Sequence, residues 1–192
     1  GFTVKMRVKL DSSAASYSRI FQFSGVPFGA GNTNGYNSPD ISIDLNDKTA
    51  FRASVFAGTT ETSDDGKHRS IFTLSASPDS DWHDLAAVYT PDGADYYLDG
   101  KLLSKSGEGA DNLAAVCASL FGEGLLSSYT YCSVGHSLYN DNDLRAKIDD
   151  FEFYNTPVSI GATGAANDVS PTYRYTFEED TITEGEPSSL AE

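Results

Sequence analysis

Cysteine, methionine and tryptophan are almost missing from this 192-residue chain, with two, one and one residues respectively. Cys117 and Cys132 match neither a zinc ligand set nor a redox pair, which leaves one disulfide or none. Basic residues are scarce as well. Thirteen Lys and Arg stand against 28 Asp and Glu, a formal charge of -15 that would repel a phosphate backbone. No local basic patch reverses that field, so nucleic acid is excluded as a partner. No apolar run approaches the ~18–20 residues that cross a bilayer, and Gly1-Phe2-Thr3 opens without a basic, apolar targeting segment. The expectation is a soluble piece of something longer, with no membrane insertion.

What is present is enough for a core. Hydrophobic residues make up 39% and aromatics 12%, with eleven Tyr and eleven Phe, which suits one domain. The surplus of carboxylates is compatible with divalent cations, with a salt-rich exterior, or simply with solubility.

Phe2, Val4, Met6, Val8 and Leu10 alternate with Thr3, Lys5, Arg7 and Lys9, the pattern of a half-buried strand. Further strands are expected around 18–25, 41–45, 50–57, 70–76, 82–90, 95–99, 128–135, 145–154 and 173–177. Asp99-Gly100 signals a two-residue hairpin, because type I′ turns need positive φ, and Pro91-Asp92-Gly93 marks another reversal. Leu113, Val116, Cys117, Leu120 and Phe121 recur at helical spacing, with Asp111 or Asn112 as cap and Gly122 as terminator. The Gly-, Asn- and Pro-rich stretch 26–40 reads as a long excursion from the sheet. Small residues over 160–168 read as a flexible connector. Ten or so short strands with a single helix cannot build an alternating parallel sheet. The expected fold is therefore all-β, a two-sheet antiparallel β-sandwich with one short helix, rather than a closed barrel.

Two motifs then carry a family resemblance. Trp82-His83-Asp84-Leu85-Ala86-Ala87-Val88-Tyr89, followed by Asp95-Tyr96-Tyr97-Leu98-Asp99-Gly100-Lys101-Leu102, resembles the central hairpin of laminin G-like, concanavalin A-like jelly-roll domains. Lys147-Ile148-Asp149-Asp150-Phe151-Glu152-Phe153-Tyr154-Asn155 resembles their closing strand, with Val134-Gly135 before it and Val158-Ser159 after it. The resemblance implies a jelly-roll domain over 1–160, a connector over 161–171, a terminal strand within 172–180 and a tail over 181–192. Family members open on an aromatic strand upstream of Gly1. Tyr173-Arg174-Tyr175-Thr176-Phe177-Glu178 has that character, and it either pairs in cis in that place or opens a following repeat.

Sugar-cleaving jelly rolls carry E-x-D-x-x-E, with two carboxyls ~5–5.5 Å apart for retention. Aligning Asp149 and Glu152 with that motif puts Lys147 at the nucleophile position, so no catalytic pair is expected and the chain reads as a non-enzyme. His68, His83 and His136 stand without a nucleophile elbow. In the resembling domains a structural calcium joins the closing strand to the opening one. The implied ligands here are Asp150 first, then Glu178 and Asp149, with 140–143 a weaker alternative. In a regular strand, Asp149 and Asp150 would face opposite ways.

Sugar recognition needs flat ring faces beside amide, carboxylate or guanidinium groups. Phe28, Asn32, Asn34, Tyr36, Asn37, Tyr139 and Asn140 suit that purpose as ligand-binding residues. Trp82 is expected in or at the edge of the core, and Lys5, Arg7 and Lys9 beside a cross-strand acid such as Asp44. The resulting expectation is a carbohydrate-binding, lectin-like module of a larger extracellular or cell-surface protein, with a glycan or polysaccharide as partner and neighbouring domains that include a glycoside hydrolase. The alternatives are a protein-adhesion or spacer module and a glycosidase with unrecognised carboxylates.

Overall fold

The computed structural model describes residues 1–25, 39–46, 50–57, 68–77, 79–137, 139, 141–167 and 169–177. In chain order its strands are β1 (Phe2–Leu10), β2 (Arg19–Ser24), β3 (Asp40–Asn46), β4 (Ala50–Phe56), β5 (Arg69–Leu74), β6 (Trp82–Thr90) and β7 (Gly93–Leu98). Two short strands follow, β8 (Lys101–Leu102) and β9 (Lys105–Ser106), then helix α1 (Leu113–Gly122), β10 (Tyr131–Val134), β11 (Ala146–Tyr154) and β12 (Tyr173–Tyr175). They form two six-stranded sheets, β12-β11-β1-β6-β7-β8 and β10-β2-β3-β4-β5-β9, with antiparallel pairing throughout. The all-β sandwich expected from the strand pattern is the fold observed.

Strand alternation builds the core. Val4, Met6 and Val8 of β1, Leu85, Ala87 and Tyr89 of β6, Ile41, Ile43 and Leu45 of β3, and Phe51, Ala53 and Val55 of β4 are all buried between the sheets. Burying each such Val, Leu, Ile or Phe side chain contributes about 1.5–3 kcal/mol. Helix α1 turns Leu113, Val116, Cys117 and Leu120 inward and packs against β7. Its cap residue is Asn112, which makes no side-chain capping bond. At the β7–β8 turn Asp99 and Gly100 take φ of 51° and 75°, as a type I′ turn requires. A Cβ on Gly100 would stand 2.4 Å from the Gly161 carbonyl oxygen, so the position is closed to any larger residue.

One detail settles a point the sequence left open, and three correct its reading. Cys117 and Cys132 are both free, because one lies on the buried stripe of α1 and the other on the edge strand β10. Trp82 is 37% exposed at the start of β6, with the Arg7 guanidinium 5.4 Å from its ring centroid. Asp44 lies in the other sheet from Lys5, Arg7 and Lys9, so it cannot pair with them across a strand; Lys5 instead donates to Glu152 at 3.2 Å. Finally, β11 is not regular at the acidic couplet. Lys5 faces Glu152 and Arg7 faces Asp149, so Met6 alone stands opposite Asp150 and Phe151, a β-bulge in which Asp150 takes φ 51°.

Candidate polar basin on the second sheet

Most side chains of β2, β3 and β4 that point away from the core are polar, yet many are fully buried. Gln22, Ser24, Ser42 and Asp44 are 0% exposed, Asp40 1% and Arg19 4%. Burying such groups costs free energy unless each is paired, so their arrangement is informative.

Strand register supplies the pairing. Arg19 stands opposite Asp44 on one side and Arg52 opposite Asp44 on the other, which places an Arg-Asp-Arg triad across three adjacent strands. The Asp44 carboxylate receives Arg52 Nη2 at 2.8 Å and Nε at 3.0 Å, and Arg19 Nη1 lies 3.0 Å away. Burial works against the charge on Arg52, but its bonds to Asp44 outweigh this and hold the guanidinium above its ordinary pKa.

Above the triad lie two aromatic rings. Tyr17, held at φ 63° with its amide donating to the Leu45 carbonyl at 2.7 Å, places its ring 4.8 Å from the Arg52 guanidinium carbon. Its own carbonyl accepts from Arg19 Nη1 at 2.7 Å. Tyr139 puts its ring centroid 5.1 Å from the Arg19 guanidinium carbon. The backbone carrying it is fixed by buried Ser137, whose hydroxyl accepts from the Tyr139 amide at 3.0 Å and donates to Asp141 at 3.2 Å. Asp141 in turn pairs with Arg19 at 3.4 Å.

These groups enclose a cavity of about 330 Å³, whose wall also includes Asp40, Ser54, Arg69 and Ile71. Asp40 lies deep in it and accepts from Gln22 Nε2 at 2.9 Å. Burial pushes the Asp40 carboxyl up to about 6, against the opposing pull of Arg19, Gln22 and Ser42. Arg69 stacks over Phe56 at 5.4 Å. A second, larger cavity of about 420 Å³ opens between the sheets and is walled chiefly by Phe2, Phe23, Ile41, Tyr129 and Phe153. It offers few groups for a polar ligand.

Of the ligand-binding residues expected from the sequence, Tyr139 lines the polar basin. Phe28, Asn32, Asn34, Tyr36, Asn37 and Asn140 lie outside the described residues. Sequence reasoning missed Tyr17, Arg19, Asp40 and Arg52, took Asp141 only as part of the weaker calcium alternative 140–143, and assigned Asp44 to the wrong sheet. The available signal was an Arg, an Asp and an Arg on the polar faces of three successive strands.

The implied calcium ligands sit elsewhere, on the outer face of the first sheet. Asp150 Oδ1 accepts from Arg174 Nε at 3.0 Å and also from Nη2, while Arg174 reaches Glu152 at 3.5 Å. Glu152 additionally receives Lys5 and the Tyr154 hydroxyl at 2.7 Å. Asp149 stands opposite Arg7, and Glu178 lies outside the described residues. Among the described residues no three carboxylate, histidine or cysteine side chains converge as ligands to one ion would. The described part of the expected set is an ion-pair ladder with a guanidinium against Asp150, which does not fit a hard divalent cation.

Residues 1–160 match the laminin G profile described as concanavalin A-like lectin/glucanases superfamily, and the chain belongs to this family. No curated protein matches it. Among solved structures, a heptameric SAP-like pentraxin from Limulus polyphemus is similar at 9% identity and a TM-score of 0.46, over 91% of this chain and 78% of that one. A glycoside hydrolase family protein from Mycobacterium thermorestibile is similar at 18% identity and 0.37, over 86% and 56%. A native glycosidic hydrolase is similar at 17% and 0.33, over 56% and 45%. The chain spans about half the length of these two hydrolases. Laminin G-like domains are typically extracellular. Among the described residues no helix is long and apolar enough to cross a membrane.

Proposed function

We propose that this domain is a non-catalytic carbohydrate-binding module, lectin-like in its mode of action, that serves a larger secreted or cell-surface protein such as a glycoside hydrolase. The observation that carries the reading is the basin on the second sheet, where two tyrosine rings, three guanidiniums and a buried acid surround one cavity. Ring faces take the C–H surface of a sugar, and fixed donors and acceptors take its hydroxyls. Most of these groups are locked by one another, so little side-chain entropy is lost on binding.

The carboxylates of the basin suit holding better than cutting. Asp40 and Asp44 lie four residues apart on β3, ~13 Å at ~3.3 Å per residue, beyond the ~5–9.5 Å that either hydrolytic geometry requires; Asp141 comes nearer, since it and Asp44 both contact Arg19 Nη1, at 3.4 and 3.0 Å, but Asp44 is 0% exposed and does not face the cavity. Asp44 is moreover spent on two arginines. A module of this kind raises the local concentration of its parent at a polymer through avidity.

The test is a glycan array probed with the wild-type domain and two variants. Binding that is lost in Tyr139→Ala and retained in Trp82→Ala is the expected result. Binding that depends on Trp82 but not on Tyr139, or no binding to any glycan, would sink the proposal.

A further inference from the structure

We infer that the cavity between the sheets binds an uncharged, apolar small molecule built of a few flat rings. This site is separate from the polar basin, with which it shares no lining residue. Packed interiors leave few voids larger than a water molecule, so an open space of about 420 Å³ at the edge of the core is not what close packing alone would produce. A cavity of ~150 Å³ lined by Leu, Ile and Phe admits benzene, and this one therefore has room for ~2–3 rings.

The walls set the chemistry. Phe2 and Phe153 stack at 5.8 Å and 25°, and Phe23 stands edge-on to both, at 6.0 and 6.1 Å. These rings come from β1, β11 and β2, so the corner they form spans both sheets. Tyr129 closes another side, held by a hydrogen bond from its hydroxyl to the Phe56 carbonyl. A flat ligand adds further stacked and edge-to-face contacts to such an array, which a flexible chain does not. Among the described residues no charged side chain lines the space, so a carboxylate or sulfonate on the ligand would be desolvated without a partner. At the mouth, exposed Thr130 and Asn155 suit a single hydroxyl or carbonyl. Cys132 of β10, in register with Phe23, also lines the cavity. It is a free thiol on an exposed residue, yet burial pushes its pKa up to about 11, as befits a sulfur turned toward an apolar hollow.

The test is a titration of the whole domain with N-phenyl-1-naphthylamine, a neutral dye that brightens when it leaves water. Saturable enhancement is expected, with the sulfonated form of the same dye bound ~10-fold more weakly and 2-naphthol displacing the neutral dye at ~10-fold lower concentration than 1-dodecanol. Cys132 reports the location. At ten times its measured Kd, 2-naphthol should slow maleimide labelling of Cys132 about 10-fold, while Cys117, 0% exposed, stays unlabelled. Cys132→Trp fills the mouth and should remove the enhancement; the labelling experiment needs no variant and decides the matter even if that one folds poorly. No enhancement, or enhancement without protection of Cys132, would overturn the site. Equal binding of the sulfonated dye would overturn the uncharged ligand, and equal displacement by dodecanol would overturn the rings.

Discussion

On the outer face of the first sheet, Lys5, Glu152, Arg174 and Asp150 form a ladder that opens to solvent at one end, where Arg174 and Asp150 are 51% and 31% exposed; on the outer face of the second, Arg19, Asp44 and Arg52 form a triad whose central carboxylate is fully buried. Both are built from alternating cations and carboxylates, but their access to solvent differs. Water and salt weaken the ladder, so its pairs add little to stability. Inside the basin each charge depends on its partner, because an uncompensated buried charge is costly. The ladder tolerates change, whereas the basin is held in one geometry, which is what a recognition site needs.

The largest effect that would sharpen this contrast comes from removing the shared carboxylate. Asp44→Ala leaves Arg19 and Arg52 facing each other and should cost about 3–5 kcal/mol in urea denaturation, whereas Glu152→Gln should cost about 1 kcal/mol. Similar losses in the two variants would erase the distinction.

A smaller effect separates the faces by pH. The Asp40 carboxyl is raised in the folded state from 3.8 to about 6, so its contribution to stability is full below about 4 and is lost as the pH rises through about 6. Asp40→Asn keeps the acceptor for Gln22 and should raise stability at pH 7, by up to about 3 kcal/mol, while removing the rise seen on acidification from pH 7 to 4. A variant with the wild-type pH profile would show that Asp40 ionises freely.

The smallest effect lies on the first sheet. His83 places Nδ1 2.8 Å from Asp99 and Nε2 2.8 Å from Asp79, an arrangement in which both nitrogens donate when the ring is charged. Burial opposes that charge, but the two acids prevail and raise the pKa above 6.5. The clasp therefore stabilises fully below pH 6.5 and fades as the pH rises above it. His83→Gln should flatten the stability profile on that alkaline side alone, read by thermal melts from pH 6 to 9. A change confined to lower pH would contradict the assignment.

Strand alternation in β1 and the Asp99-Gly100 turn were legible because each is set by local geometry, period two in the first and positive φ in the second. The two hairpin and closing-strand motifs likewise located the family. The basin was not legible in the same way. Asp44 read as a cross-strand partner for Lys5, Arg7 and Lys9, Arg19 and Arg52 carried no local signal, and only the register of three strands brings the triad together. The bulge at Asp150 escaped for a related reason, since one extra residue in β11 leaves no mark in the hydrophobic pattern. Trp82 shows the opposite error: size argued for the core, while Arg7 gives its ring a partner at the surface.

The most direct measurement is an NMR titration of the isotopically labelled domain with a bound oligosaccharide. Shifts concentrated at Tyr17, Arg19, Arg52 and Tyr139, with the Lys5, Arg7 and Arg174 resonances unmoved, are the predicted result. Shifts concentrated on the first sheet's outer face, or at Phe2, Phe23 and Phe153 in the cavity between the sheets, would contradict it.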